Sequence, residues 1–247
     1  MPKRAAFTVA LVGADGAGKS TVGRRVAATL PLPVRYMYMG DNPESANWSL
    51  PTTRLLRALR RLRGLPPPHH GPPDPERAAA GARPPRRGTL ARALATAKDV
   101  ARLANRLAEE WYRQAVAWQF VQRGYVVLFD RHFYADYYAH HIAQEGQPLA
   151  ARLHGLMLAR VYPRPDLVVC LDAPAEVLLA RKSEGTLASL ERRRLEYFAI
   201  RDHVAHFAVV DASRPVDVVA QEVTTLIEAL HAGRQQPGRE ATAWAVP

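Results

Sequence analysis

Three groups of residues in this sequence have the types and spacing that phosphate chemistry requires. The first is Gly13-Ala14-Asp15-Gly16-Ala17-Gly18-Lys19-Ser20, followed by Thr21. It matches G-x-x-x-x-G-K-[ST] in full, after an apolar run and before an amphipathic one, which is the context the motif needs. Gly13, Gly16 and Gly18 let the backbone turn closely around phosphate oxygens, and the amides at the helix start supply the positive end. Lys19 then reaches the β- and γ-phosphates of ATP, and Ser20 ligates Mg2+. Asp15 is an odd occupant, because a carboxylate repels phosphate unless a cation or hydroxyl stands nearby. It either bonds the loop amides or points away from ATP toward the acceptor.

The second group is Asp130-Arg131-His132, after the apolar run Tyr125–Phe129. A strand here brings Asp130 beside the phosphate loop, where it can hold Mg2+ through water or orient the acceptor. Arg131 can contact the transferred or the acceptor phosphate; a surface ion pair is the bland alternative. Packing in a turn accounts for His132 as well as catalysis does. Tyr134, Tyr137 and Tyr138, with Asp136, can wall an acceptor pocket or simply pack. The third group is basic: Arg181 and Lys182, then Arg192, Arg193 and Arg194. Arginines on a closing lid stabilise the charge spread over a moving phosphoryl group, although any single one can equally face solvent.

The elements that must position these groups follow from periodicity. Apolar runs at 5–12, 34–39, 125–129, 166–171 and 206–210 read as strands, and helical patterns stand between them. Helices are expected over 18–30, 90–122 (one piece or two), 175–181, 190–203 and 216–230, with helical material up to 160. Alternation of this kind predicts an α/β fold, with a five-stranded parallel doubly wound sheet and helices on both faces. Ligands then sit at the C-terminal ends of the strands. The segment 50–65 reads as a short basic amphipathic helix, with arginines at 54, 57, 60, 61 and 63 among leucines. The segment 66–87, dense in proline, reads as an irregular excursion.

The chain has 247 residues, 48% of them apolar, enough for one domain with a sizeable core. Its net charge of +11 suits polyphosphate ligands, nucleic acid or an acidic surface; much of the excess falls in 54–92. The single cysteine, Cys170, excludes an intramolecular disulfide and cysteine-cluster metal sites. No apolar window reaches the length of a membrane span, so the expected setting is cytoplasmic.

Together these motifs resemble the thymidylate kinase family and its thymidylate-kinase-like P-loop relatives, over about 5–30 and 90–231. GADGAGKST resembles the family's P-loop, VVLFDRHFYAD its Asp-Arg motif, LDAPAEVLLARK the segment entering its lid, and VVDASRPVDVVAQEV its last strand and helix. The resemblance implies a P-loop NTPase fold and transfer from Mg-ATP to a small-molecule phosphate acceptor, a nucleoside monophosphate. It implies that Asp15 approaches the acceptor's sugar, and that Asp130 and Arg131 lie near the acceptor phosphate and the metal. Arg181 falls beside the adenine and the lid, and Ala212, Ser213 and Arg214 line the base site. Arg106 resembles a helix arginine that grips the acceptor phosphate, with Arg102 and Arg113 as competitors. The expected organisation is a kinase domain over 1–231, with a 50–89 basic insertion and a 182–200 lid, followed by a flexible tail over 232–247. A family homodimer is a further expectation. The chain departs from the family after the second strand, where Arg-Glu-Pro-Gly is usual and Met37-Tyr38-Met39-Gly40-Asp41-Asn42-Pro43 stands instead. Two other readings therefore stay open: a P-loop kinase for a nucleoside, sugar or other metabolite, and a nucleotide-binding regulatory or nucleic-acid-associated protein.

Overall fold

Residue identity and alternation fix the first element. The chain enters as β1 (Thr8–Val12), every residue of which is buried, turns through Gly13–Gly18, and continues as α1 (Lys19–Thr29). Successive side chains of a strand point to opposite faces. Phe7, Val9 and Leu11 accordingly join one core layer with Val22 and Val26 of α1, and Ala10 and Val12 join the other. The computed structural model describes residues 6–40, 48–64, 89–137, 149–183 and 185–235. The proline-rich 66–87 segment, Asp41 to Pro43 and the end of the chain past 235 lie outside the described residues.

Along the chain follow β2 (Val34–Tyr38), α2 (Pro51–Leu62), α3 (Thr89–Gln122), β3 (Val126–Asp130) and α4 (Phe133–Tyr137). Then come α5 (Leu149–Arg160), β4 (Leu167–Asp172), α6 (Ala175–Arg181), α7 (Leu187–Phe198), β5 (Phe207–Asp211) and α8 (Val216–Gln235). The sheet order is β2-β3-β1-β4-β5 and every pairing is parallel. This is the five-stranded doubly wound sheet expected from the sequence. One face is covered by α1, α6 and α8 through Leu178, Val219, Val223 and Ile227. The other is covered by Ala117 of α3, Phe133 and Tyr134 of α4, Leu158 of α5 and Tyr197 of α7. Because β1 is central and the chain winds outward on both sides of it, the loops after β1, β3, β4 and β5 share one edge, the place where such sheets bind ligands.

Three boundaries differ from the sequence reading, each for a local reason. Helix α3 is unbroken over 34 residues; no proline or glycine interrupts it. Helix α7 starts at Leu187 rather than 190, because Thr186 and Ser189 cap each other: Ser189 N–H donates to Thr186 Oγ1 (3.2 Å) and Thr186 N–H to Ser189 Oγ (2.8 Å). Serine in the place of the usual Glu or Gln hides this capping box from pattern reading. Helix α8 runs to Gln235, past the expected end of the domain at 231. Its last turn is tied to the sheet by Arg234, which donates to Asp166 (2.6 Å) and lies 5.2 Å over the Phe7 ring. Cys170 is a core thiol, its pKa pushed up to about 12 by burial and by the Asp172 charge.

Candidate active site

The phosphate loop is wedged between elements that leave room only for glycine. A Cβ on Gly13 (φ +140°) would collide with the Leu171 carbonyl, and one on Gly16 (φ +90°) would lie 2.5 Å from the Leu178 carbonyl. At Gly18 (φ +80°) an added Cβ meets nothing within 4 Å, so the loop is open on that side. Helix α1 has no side-chain cap and no acid in its first turn. Its first amides therefore keep their hydrogens for an anion, which fits the phosphates of ATP. Lys19 is buried, and its Nζ donates to the carbonyls of Gly13 (2.7 Å) and Ala14 (2.9 Å). Burial, and next Arg131, pull its pKa down to about 8 against the acids Asp15, Asp136 and Asp130.

Parallel pairing of β1 with β3 sets Leu11 against Asp130, and so brings the second motif to the phosphate loop as expected. Asp130 is 1% exposed. Its Oδ2 accepts from Ser20 Oγ (2.5 Å) and from Tyr36 Oη (2.6 Å), whereas its buried Oδ1 has no hydrogen-bond partner. A hydroxyl and a carboxylate oxygen side by side form a hard donor pair suited to Mg2+. Among the described residues no group of three His, Cys, Asp or Glu side chains could hold a metal, so such an ion would share its coordination with phosphates.

Arg131 follows in a left-handed backbone conformation (φ 68°), uncommon without glycine, which aims its guanidinium back over the loop. It makes an ion pair with Asp15, and Lys182 Nζ stands 3.8 Å from the same carboxylate. Burial alone would raise the Asp15 pKa, but Arg131, Lys19 and Lys182 outweigh it and hold the carboxyl well below its usual range. Asp15 is therefore the meeting point of all three groups singled out in the sequence: the loop, the Asp-Arg turn and the start of the basic segment. Burial works against the Arg131 charge, but Asp136 and Asp15 more than offset it and raise its pKa.

Behind this cluster lie Tyr197, which sequence reasoning missed, and Asp136, which it named only as part of a pocket wall. Asp136 is buried and accepts from Tyr197 Oη (2.9 Å), and burial raises its pKa although Arg131 and Arg193 oppose the shift. Arg193, counted in the sequence only as one lid arginine among several, is thus part of the charge field of the site. The neighbouring lid arginines have other engagements. Arg194 forks onto Asp172 with two bonds of 2.7 Å, and Arg192 lies 3.9 Å from Glu196. A tyrosine buried against an aspartate from another part of the chain leaves no local pattern, which is why Tyr197 did not stand out and Asp136 was not paired with it.

The remaining candidates divide. Arg181 donates to the carbonyls of Ala212 (2.6 Å) and Ser213 (3.1 Å), bracing the loop after β5. In that loop Ser213 Oγ and N–H both donate to Asp211 (2.6 and 2.9 Å), and Arg214 pairs with Glu222. On α3, the fully buried arginine is Arg113. It donates to the Gly40 carbonyl (2.8 Å) and to Glu109 (3.0 Å), and lies 5.5 Å over the Phe133 ring. Arg106 instead lies over Tyr137 (5.3 Å). Tyr134 is buried in the core, its ring centroid 5.2 Å from the Arg164 guanidinium carbon. His132 sits between Phe129 and Tyr162, and burial lowers its pKa to about 3; it packs as a neutral ring. At the end of β2, a Cβ on Gly40 would lie 2.5 Å from both Arg131 Cδ and Tyr38 Oη.

A parallel sheet with a G-x-x-x-x-G-K-[ST] loop after its central strand, and an aspartate from the adjacent strand bonded to the loop serine, defines a P-loop phosphotransferase. No protein-family model matches the chain. The probable thymidylate kinase of Pyrobaculum calidifontis is 28% identical over 226 residues, covering 89% of this chain and 95% of the relative. That of Archaeoglobus fulgidus is 32% identical over 114 residues, covering 44% of this chain and 56% of the relative. The thymidylate kinase of Xanthomonas euvesicatoria pv. vesicatoria is 28% identical over 240 residues, covering 94% and 88%. The chain is thus similar to thymidylate kinases over most of its length.

Proposed function

We propose that the protein transfers the γ-phosphoryl group of ATP to a nucleoside monophosphate, with dTMP the first acceptor to test. The observation that supports this is the convergence of Asp15, Arg131 and Lys182 beside the phosphate loop. An oxygen of the acceptor phosphate attacks the γ-phosphorus, and the bond to the β-bridging oxygen breaks to release ADP. That phosphate is already anionic, so the site needs no general base, in keeping with the buried neutral His132. Lys19 neutralises charge on the β- and γ-oxygens, Arg131 aligns the acceptor phosphate with Arg106 as its partner on α3, and Asp15 addresses the acceptor's sugar. Ser20 and Asp130 would hold Mg2+, which would supply charge neutralisation on the phosphates. Arg181 acts through the loop of Ala212, Ser213 and Arg214, which lines the adenine. The 182–200 segment serves as the lid that excludes water. The names of the relatives support dTMP, and the family likeness supports a homodimer. No described helix is long and apolar enough to cross a membrane, and we place the enzyme in the cytoplasm.

One observation favours a second reading, a kinase for a different acceptor. Where the family carries Arg-Glu-Pro-Gly, this chain packs Gly40 between Tyr38 and Arg131 and gives the Gly40 carbonyl to Arg113. A panel of nucleoside monophosphates, nucleosides and sugars with Mg-ATP, read by product mass, separates the two. Lys19-dependent formation of dTDP supports the first reading. Product from an unphosphorylated acceptor, with none from any monophosphate, supports the second.

A further inference from the structure

The shared oxygen of Asp130 leads beyond the motif. A loop serine bonded to a strand-end aspartate is the ordinary arrangement of P-loop enzymes; the phenol of Tyr36 on that same oxygen belongs to neither motif. Tyr36 comes from β2, whose pairing with β3 sets Tyr36 opposite Leu128, two residues before Asp130. Residues two apart on a strand share a face, so the Tyr36 ring runs along the sheet toward Asp130 and α1. Its Oη donates 2.6 Å to Asp130 Oδ2, beside the 2.5 Å bond from Ser20 Oγ. The other oxygen, Oδ1, is buried and has no partner, which is costly unless a further donor or cation serves it. Space for the ring is made by Gly23 on the second turn of α1, where an added Cβ would lie 2.9 Å from Tyr36 Cε2 and 3.2 Å from Leu11 Cδ1.

We propose that Tyr36 is a positioning residue for the metal: it locks the Asp130 carboxylate so that Oδ2 orients the Ser20 proton while Oδ1 is presented to Mg2+ or to water bound on it. The inference rests on the P-loop kinase reading. With two donors on Oδ2 the carboxylate cannot turn about its χ2 axis without breaking both bonds. With the Ser20 hydrogen committed to Oδ2, the lone pairs of Oγ are free for the ion. Gly23 belongs to the same device, because any side chain there displaces the ring.

The test compares the wild type, Tyr36→Phe, Gly23→Ala and the double variant by thermal unfolding with ADP, once in excess Mg2+ and once in EDTA. The Mg2+ concentration for half-maximal phosphotransfer is measured in parallel. The wild type is expected to be stabilised by ADP in EDTA and several degrees further in Mg2+. Tyr36→Phe keeps the EDTA stabilisation, loses most of the Mg2+ increment and needs roughly tenfold more Mg2+, equal to about 1.4 kcal/mol. Gly23→Ala lowers the Mg2+ increment in the Tyr36 background but adds no further loss to Tyr36→Phe, a non-additivity that a general packing defect does not produce. An unchanged Mg2+ increment and half-saturation in Tyr36→Phe overturns the inference. A wild type with no Mg2+-dependent ADP stabilisation instead overturns the P-loop kinase reading beneath it.

Discussion

Lys19 holds the carbonyls of Gly13 and Ala14 with a pKa brought down to about 8 by burial and Arg131. Arriving phosphates add negative charge beside it and raise that pKa, so ATP binding near pH 8 is expected to take up a proton. Calorimetry in buffers of different ionisation enthalpy measures this uptake, which should vanish in Lys19→Ala; equal heats in all buffers would argue against it. At this scale the sequence was informative where residues adjoin in a motif. Lys19, Ser20, Asp130 and Arg131 were all legible, because the strand-loop-helix context fixes their placement. Tyr36 and Tyr197 were not, and Asp136 was named without its partner. Each meets the site from another element, Tyr197 across 61 positions from Asp136, and no local spacing encodes that meeting.

Among the elements, α7 and α3 carry the clearest consequences. Helix α7 is pinned by Arg194 on Asp172 and by Tyr197 on Asp136, so any closure by the proposed 182–200 lid must work against both contacts. Thr186→Ala removes the cap and should cost about 1 kcal/mol of stability, measured by urea unfolding; the lid approach should then become more open to limited proteolysis. On α3, Glu109 serves Leu50 N–H and Thr53 Oγ (3.0 Å each) while Arg113 serves Gly40. This i,i+4 pair fastens residues on both sides of 41–47. Arg113→Ala strands Glu109 and the Gly40 carbonyl and should cost about 3 kcal/mol, with a raised KM for the acceptor and little change in KM for ATP. The family resemblance implied an arginine of this helix at the acceptor phosphate and put Arg106 ahead of Arg102 and Arg113. Arg113 is buried and holds the Gly40 carbonyl, a placement that depends on packing rather than pattern.

For the molecule as a whole, alternation of strand and helix predicted the sheet and its binding edge, since parallel crossovers leave few topologies. The +11 charge had pointed outward to several partners. Within the site, by contrast, Arg131 and Lys182 are balanced locally by Asp15. Acid stability follows from the core. His132 has a folded pKa of about 3 against 6.5 ordinarily, so the unfolded chain binds its proton first. The stability it contributes is full above pH 6.5 and is lost as pH falls toward 3. His132→Phe should flatten that loss in urea midpoints measured across the window, and an unchanged slope would count against a buried neutral ring.

The central claim is the fate of one phosphoryl group. We would follow ATP and dTMP with Mg2+ and the purified protein by 31P NMR. The account predicts ADP and dTDP appearing in equal amounts, with neither formed by Lys19→Ala. Release of the γ-phosphoryl group as inorganic phosphate with dTMP unchanged, or its transfer only to unphosphorylated acceptors across the wider panel, would contradict it.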